Sequence, residues 1–385
     1  MKKTYKYRIY ASAETASKAE RWLNLCRNLY NCALEERREA YRLQRKTISG
    51  YSQANELPEI KQAAPEYKDV NSQVLQQILE RLDRAYKAFF RRAKAHDSKP
   101  GFPRFRGKDR YDSFTLKNTG WHLEDRYLWV SNVGRFKMRL SRPIQGMIKT
   151  ITIRCTPTNK WYACFNCDNV PERKLPFSDK VVGLDVGIKS FLVDSEGNPP
   201  KGNPKFLKHS LKKLRVKQRK LARAKKGTNR RKKAKLQVTK LHEKVANQRR
   251  DFHHKLANEY IKNYGVIVFE KLQIKNMVKN HKLARDISDC AWGQFFEFLD
   301  YKAEEAGRII FKDNPRYTSM KCHVCGAINK ELKLSDRTWT CLSCGTIHDR
   351  DFNAAVNHKN EGIKYLERLG QSRQELTYAS TQSVS

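Results

Sequence analysis

The sequence predicts a multidomain fold of mixed α+β and α/β class, and three observations predict it. The chain has 385 residues, enough for two or three domains with cores of their own. Its apolar period changes in blocks: one strand, two amphipathic helices, a run of short strands, and then strands that alternate with helices. Near the C-terminus the Cys-x2-Cys pairs Cys322/Cys325 and Cys341/Cys344 lie fifteen residues apart, a spacing that suits a four-cysteine zinc ribbon holding one structural Zn2+. Gly326 and Gly345 follow these pairs, where a tight turn needs positive φ.

Residues 3–10, KTYKYRIY, alternate, with Tyr5, Tyr7 and Ile9 on one face, and predict a half-buried strand. From about Ala13 to about Lys46, the residues Trp22, Leu25, Cys26, Leu29 and Ala33 recur at three and four positions and predict an amphipathic helix. Residues 48–69 are broken by Gly50, Pro58 and Pro65 and read as a connection. A second helix carries Leu75, Ile78, Leu79, Leu82, Tyr86, Phe89 and Phe90 on one stripe. Neither helix can leave such a face in water, so the two are expected to pack together. Residues 100–106 end the helical region, and β-like segments follow at 127–130, 135–140, 149–156 and 161–168. The last two read as a hairpin, and the first strand can join their sheet across the helical segment. Cys164 and Cys167 share the Cys-x2-Cys spacing, but a strand turns residues three apart to opposite faces, so they are not read as ligands.

Residues 170–180 read as a linker into a second domain, which opens with VVGLDVGIKSFLVDSEGN: a strand bearing Asp185, then Gly187, then another strand. An aspartate in the middle of so apolar a strand is costly unless it is paired or binds a cation. Residues 201–250 hold twenty-one Lys and Arg and one acid, Glu243, around sparse helical leucines; Gly227-Thr228-Asn229 predicts a turn between two long helices. Charge this dense favours a helical hairpin when a polyanion neutralises it, so Lys212, Lys213, Arg215, Arg219, Arg230 and Arg231 are candidates for backbone phosphates. The strand YGVIVFEKL then places Glu270 just past its end, a helix follows around Trp292, Phe295, Phe296 and Leu299 with Gly307 as its cap, and RIIF is another strand. Beyond the cysteines, Asp351 opens the final helix in DRDFNAAVN, and residues 366–385 are expected to be a disordered tail.

Charge limits the function. The net charge is +39, from 79 Lys and Arg against 40 acids, while 39% of residues are hydrophobic. That excludes a disordered chain and calls for a polyanionic partner whose binding weakens with salt. No apolar run approaches the ~18 residues of a spanning helix, and MKKTYKYRIY has no apolar core of a signal peptide. The expectation is a cytoplasmic protein with no membrane partner. Six of its ten cysteines are scattered and read as reduced thiols. In so basic a chain, acids gathered at one place have a chemical use. Asp185, Glu270 and Asp351 lie at strand ends and a helix start that can converge at one end of a sheet. Three converging carboxylates suit two hard divalent cations and phosphodiester hydrolysis.

The order of these features resembles the TnpB family, the OrfB-type, transposon-encoded relatives of type V CRISPR effectors. GLDVGIKSF, VFEKL and DRDFNAAVN resemble its three RuvC motifs, and TSMKCHVCG with CLSCG resembles its ribbon. The resemblance implies a WED-like β-rich module at 1–12 and 100–170 and a REC-like helical insertion at 13–99. It further implies a RuvC/RNase H-like nuclease domain at 178–316 and 346–365, with the zinc ribbon inserted at 317–345. It makes Asp185, Glu270 and Asp351, and not Asp349, the catalytic acids and ligands of two Mg2+ ions. It implies a guide RNA from the transposon end, held by one monomeric protein, and cleavage of double-stranded DNA beside a short transposon-adjacent motif, with base pairing supplying the target sequence. By the same resemblance Tyr51, Gln73, Gln76 and Gln77 are the candidate readers of that motif.

Two other functions fit parts of the chain: an RNA-guided DNA-binding regulator without cleavage, and an unguided RuvC-type nuclease. The intact acids count against the first. The large basic surface counts against the second, because a junction nuclease has no RNA to hold. A strand-transfer transposase is disfavoured, since no His-hydrophobic-His pair with a catalytic tyrosine is evident. His323 and His348 flank the cysteine pairs and are read as bystanders to a four-cysteine site.

Overall fold

Alternation at the N-terminus makes β1 (Lys3–Ala11), whose Tyr5, Tyr7 and Ile9 are buried while Thr4 and Lys6 face out. The computed structural model describes residues 1–95, 99–314, 317–333 and 335–368, and within them the chain forms two compact units, Met1–Pro171 and Glu172–Ser385.

In the first unit β1 is joined by β2 (Ser113–Leu116), β3 (Trp121–Glu124), β4 (Tyr127–Val130), β5 (Gly134–Arg139), β6 (Met147–Cys155) and β7 (Trp161–Asp168). The seven strands run in the order β2-β6-β7-β1-β5-β4-β3, so β1 pairs antiparallel with β7 and β5 across 100 residues of intervening chain and more. Two of these strands, β2 and β3, are not evident in the sequence. Both are four residues long, and the burial of β2 runs along three consecutive residues with no alternation to reveal it. Cys167 is buried and Cys164 lies on the opposite, more open face of β7, and the pair belongs to no metal-ligand cluster among the described residues.

Among the described residues four α-helices lie between β1 and β2: α1 (Ala13–Gln44), α2 (Gly50–Asn55), α3 (Leu57–Ala63) and α4 (Ser72–Lys94). The ring of Trp22 on α1 meets Phe114 of β2 edge-on at 5.3 Å, and the helix and sheet share one core. The expected connection at 48–69 is instead helical, because the residues taken as breakers start helices. Ser49 caps α2, while Pro58 and Pro65 occupy first-turn positions of α3 and of a 3-10 turn, Pro65–Asp69. Gln53 of α2 is buried, accepting from Arg37 Nε at 2.8 Å. The apolar stripe of α4 also surfaces at its end, where Phe90 is exposed and packs with Phe89 and Tyr86.

The second unit is built on β8 (Val181–Asp185), β9 (Ser190–Asp194), β10 (Lys201–Gly202), β11 (Val266–Glu270) and β12 (Ile309–Asp313), ordered β10-β9-β8-β11-β12. β8, β11 and β12 are parallel; β9 returns antiparallel beside β8. Between β10 and β11 run α5 (Phe206–Arg223) and α6 (Asn229–Asn263), the predicted hairpin, with Thr228 capping α6. After β11 come α7 (Ile274–Met277), α8 (Ala284–Cys290) and α9 (Trp292–Ala306), which Gly307 closes at φ 66°. The last elements are the ribbon strands β13 (Thr338–Thr340) and β14 (Ile347–Asp349) and then α10 (Arg350–Arg368), which packs on β8 and β11. Two glycines permit that packing: a Cβ on Gly183 of β8 would strike the Ala355 carbonyl, and one on Gly362 of α10 would strike Val268. α10 runs on to Arg368, past the 366 boundary expected for the tail, and residues 369–385 of that expectation lie outside the described residues.

Candidate active site

Register brings the acids together. Phe269 of β11 pairs with Leu184 of β8, so the next residues, Glu270 and Asp185, close neighbouring parallel strands at the same edge. Glu270 in turn pairs with Asp313, the last residue of β12. The carboxyl end of the parallel sheet thus carries a row of three acids, and open α/β sheets place their ligand sites at that end. Asp185 sits at the end of its strand and not in the middle, and Glu270 is the final strand residue and not one past it. Burial first, then the charges of Asp351 and Glu270, pushes the Asp185 carboxyl well above the usual carboxylate range. Burial also raises Glu270.

One ligand atom each from Asp185, Glu270 and His358 lie within 4.8 Å of one another. Asp351, in the first turn of α10, is outside that group. Its carboxylate faces Arg337 Nη1 at 3.3 Å and Arg350 Nη2 at 3.2 Å. Asp349 serves the helix instead, because its Oδ1 accepts from the Phe352 N–H at 2.9 Å and caps α10. The acids with the imidazole make an oxygen-rich, negatively charged corner that suits a divalent cation.

The four cysteine sulfurs also converge within 4.8 Å. Cys322 Sγ and Cys344 Sγ are 3.7 Å apart, and Cys325 Sγ and Cys341 Sγ are 3.5 Å apart. A tetrahedral zinc with Zn–S bonds near 2.3 Å sets sulfurs about 3.8 Å apart, so the cysteines fit the ion. Gly326 and Gly345 take φ of 80° and 71°, as the knuckle turns require. The hydroxyl of Thr346, 3.2 Å from Cys344 Sγ, leads the effects that hold this thiol down to about 6 and favour its thiolate. His348 is buried with Nε2 3.1 Å from Cys322 Sγ, where an N–H supports a metal-bound sulfur without joining the ligands.

The ribbon is fastened to α10 by residues that sequence reasoning missed. Asn353 donates to the Lys321 carbonyl at 2.8 Å and accepts from the His323 N–H at 3.0 Å, and Asn357 donates to the carbonyls of Thr318 and Lys321 at 2.9 and 2.7 Å. Two asparagines four apart on one helix face were the available signal. Asp313 and His358 were also missed.

The remaining candidates divide by exposure. On the hairpin, Lys212, Lys213, Arg215, Arg219 and Arg230 are exposed, whereas Arg231 donates to the carbonyls of Leu221 and Ala224 at 3.0 and 2.9 Å and ties the turn. Tyr51 and Gln76 are exposed. Gln73 accepts from the Thr119 N–H at 3.4 Å, and Gln77 is buried with its amide on Glu80, so it does not present an edge to solvent.

Comparison with known proteins agrees along nearly the whole chain. Residues 165–281 match the OrfB family of IS605-type elements, described as a probable transposase; residues 292–358 match a Cas12f1-like TNB domain, and residues 1–46 a helix-turn-helix domain. A relative from Streptomyces pristinaespiralis named "Putative RNA-guided DNA endonuclease" is 32% identical over 370 residues, covering 94% of this chain and 90% of its own. InsQ of Escherichia coli K12, with the same description, is 31% identical over 92% of this chain and 90% of its own. The Cas12f1 endodeoxyribonuclease of Sulfoacidibacillus thermotolerans is 26% identical over 52% of this chain and 50% of its own. Among solved structures, the mini-RNA-guided endonuclease CRISPR-Cas_phi3 superposes with a TM-score of 0.51 at 10% identity, covering 94% of this chain and 92% of its own, a likeness of fold. No described helix is long and apolar enough to cross a membrane.

Proposed function

Since the chain belongs to the TnpB family of OrfB-type proteins, we propose that it is an RNA-guided endonuclease that hydrolyses double-stranded DNA beside a short adjacent motif. The observation that carries this reading is the sheet edge itself: a chain of net charge +39 ends adjacent parallel strands in Asp185 and Glu270 and raises the pKa of both. Apart from cation binding, crowding carboxylates there has no evident use.

In this reading the β-rich and helical modules of the first unit are WED-like and REC-like, and the second unit is a RuvC/RNase H-like nuclease interrupted by its ribbon. Asp185, Glu270 and Asp351 hold two Mg2+ ions, and the four cysteines hold one Zn2+ that does no chemistry. Bound divalent cations supply charge stabilisation for the phosphodiester and an activated water. The chain's own residues do the rest. The carboxylates set where the cations bind, Arg337 of the ribbon and Arg350 of α10 hold Asp351 at the helix start, and the exposed lysines and arginines of α5 and α6 take the phosphates of a guide RNA or its heteroduplex. Tyr51 and Gln76, both exposed, remain candidates for reading the adjacent motif.

Sequencing the RNA that co-purifies with the protein, expressed with its flanking DNA, tests the guided part. A single species ending in flanking sequence is expected; random cellular RNA would contradict it.

A further inference from the structure

His358 is fully buried on α10, two helical turns after Asp351. Its Nδ1 lies 2.9 Å from Asp313 Oδ2, while its Nε2, equally buried, has no hydrogen-bond partner among the described residues. A carboxylate only accepts, so the proton of a neutral imidazole sits on Nδ1, and Nε2 carries a bare lone pair. A buried lone pair without a donor is a cost that native structures rarely carry. The His358 ring belongs to the same ligand group as the carboxylates of Asp185 and Glu270, one atom from each residue lying within 4.8 Å of the others, and with Nδ1 taken by Asp313 the nitrogen left to serve that group is Nε2.

We propose that His358 is a nitrogen ligand to the cation held by Asp185 and Glu270, and that Asp313 is the positioning residue that fixes its ring. The proposal rests on the metal-site reading above and adds a donor to it. Three features of the fold support it. The orienting acid ends β12 directly beside Glu270, so one strand register supplies both the ligand and the support of its neighbour. The imidazole comes from α10, whose close seat on β8 and β11 depends on Gly183 and Gly362. A carboxylate, a histidine and a metal in line is the arrangement that fixes the tautomer of metal-bound histidines and raises their basicity. With a nitrogen among its oxygens, the site prefers Mn2+ over Mg2+ more than an all-carboxylate site does.

Pulsed electron paramagnetic resonance on the untagged, full-length protein with its bound RNA, loaded with Mn2+ after zinc has filled the ribbon, reads this directly. Coupling of Mn2+ to a coordinated imidazole nitrogen is expected in the unaltered protein. It should vanish in His358→Leu, with Mn2+ still bound through the acids, and Asp313→Asn should weaken Mn2+ binding by about 10–100-fold. Mn2+ that is lost in Asp185→Asn yet shows no nitrogen coupling in the unaltered protein would overturn the assignment of His358 and leave the nuclease reading standing. No Mn2+ bound at the acids at all would overturn both. The signal of the unaltered protein decides the matter even if one variant fails to fold.

Discussion

Arg337 of the ribbon reaches Asp351 of α10, Nη1 to Oδ2, at 3.3 Å, and the Arg350 N–H donates to the Arg337 carbonyl at 2.8 Å. The residue before β13 is therefore bound to the helix start by both its backbone and its side chain. Both side chains keep solvent contact, so the pair contributes less than about 1 kcal/mol to stability. Its value lies in placement, where an error of about 1 Å can cost a factor of ~100 in rate. Arg337→Ala should lower DNA cleavage by about 10-fold or more while leaving the melting temperature and bound zinc unchanged. A rate equal to that of the unaltered protein would remove Arg337 from the account.

Zinc is expected to act through the same connection. Cys322 is buried at the centre of the cluster, and the residue before it, Lys321, gives its carbonyl to both Asn353 and Asn357. Metal binding and local folding are coupled in such sites. Cys322→Ser should lose its zinc, measured by elemental analysis, and cleavage should fall with it while RNA still co-purifies. Full cleavage by a zinc-free variant would make the ribbon dispensable.

Protons should stabilise the protein when its acid site holds no cation. Folding raises Asp185 well above 3.8, through burial and then Asp351 and Glu270, and raises Glu270 above 4.5, again through burial first. A raised folded pKa means that the folded state binds the proton more tightly, so stability is greatest below the ordinary carboxylate range and is lost as pH rises through the raised values. Asp185→Asn removes the charge at every pH. In buffers without added divalent cations it should raise the melting temperature by about 2–4 °C near pH 8 and flatten the change between pH 5 and 8. A variant less stable than the unaltered protein at pH 8 would show that the carboxylate is satisfied in another way.

The legible parts of the chain were those where a period is long or a spacing is chemical. The helices α1 and α4, the basic hairpin and the cysteine pairs could be read from local pattern, whereas Asp185, Glu270 and Asp351 stood out through their order along the chain and the family resemblance. The short strands β2 and β3 could not: three of the four residues of β2 are buried in succession and leave no alternation, and β3 has only Trp121 and Leu123 to mark a face, both half-buried. Pro58 and Pro65 misled because a proline that breaks a helix interior also starts one. Asp313 and His358 were invisible for a different reason: only the parallel register of β12 with β11 and the seating of α10 bring them to Glu270. Arg231 and Gln77 resembled their charged and polar neighbours, and only their partners separate structural from exposed roles.

That seating makes its own prediction. A Cβ on Gly183 would meet the backbone of Ala355 and Lys359, which no side-chain rotation can relieve. Gly183→Ala should cost about 3 kcal/mol, lower the melting temperature and reduce cleavage together. Near-unaltered stability would mean that α10 can lift from β8 at little cost.

The hairpin should respond to salt. Lys212 and Lys213 are exposed on α5, so Lys212→Ala with Lys213→Ala should weaken RNA binding and lower the log-log salt slope by about 1 for each phosphate no longer neutralised. Arg231→Ala should instead loosen the turn, and thermal melting distinguishes the two effects. An unchanged slope would place the RNA elsewhere.

The central claim is that the acids at the sheet edge cut DNA under RNA direction, and plasmid cleavage tests it most directly. The protein with its RNA, given Mg2+ and a plasmid carrying the guide-matched sequence beside the adjacent motif, should linearise that plasmid and spare an unmatched one. Asp185→Ala, Glu270→Ala and Asp351→Ala should each abolish cutting while retaining RNA. Cutting retained in all three variants, or cutting of matched and unmatched plasmids alike, would contradict the account.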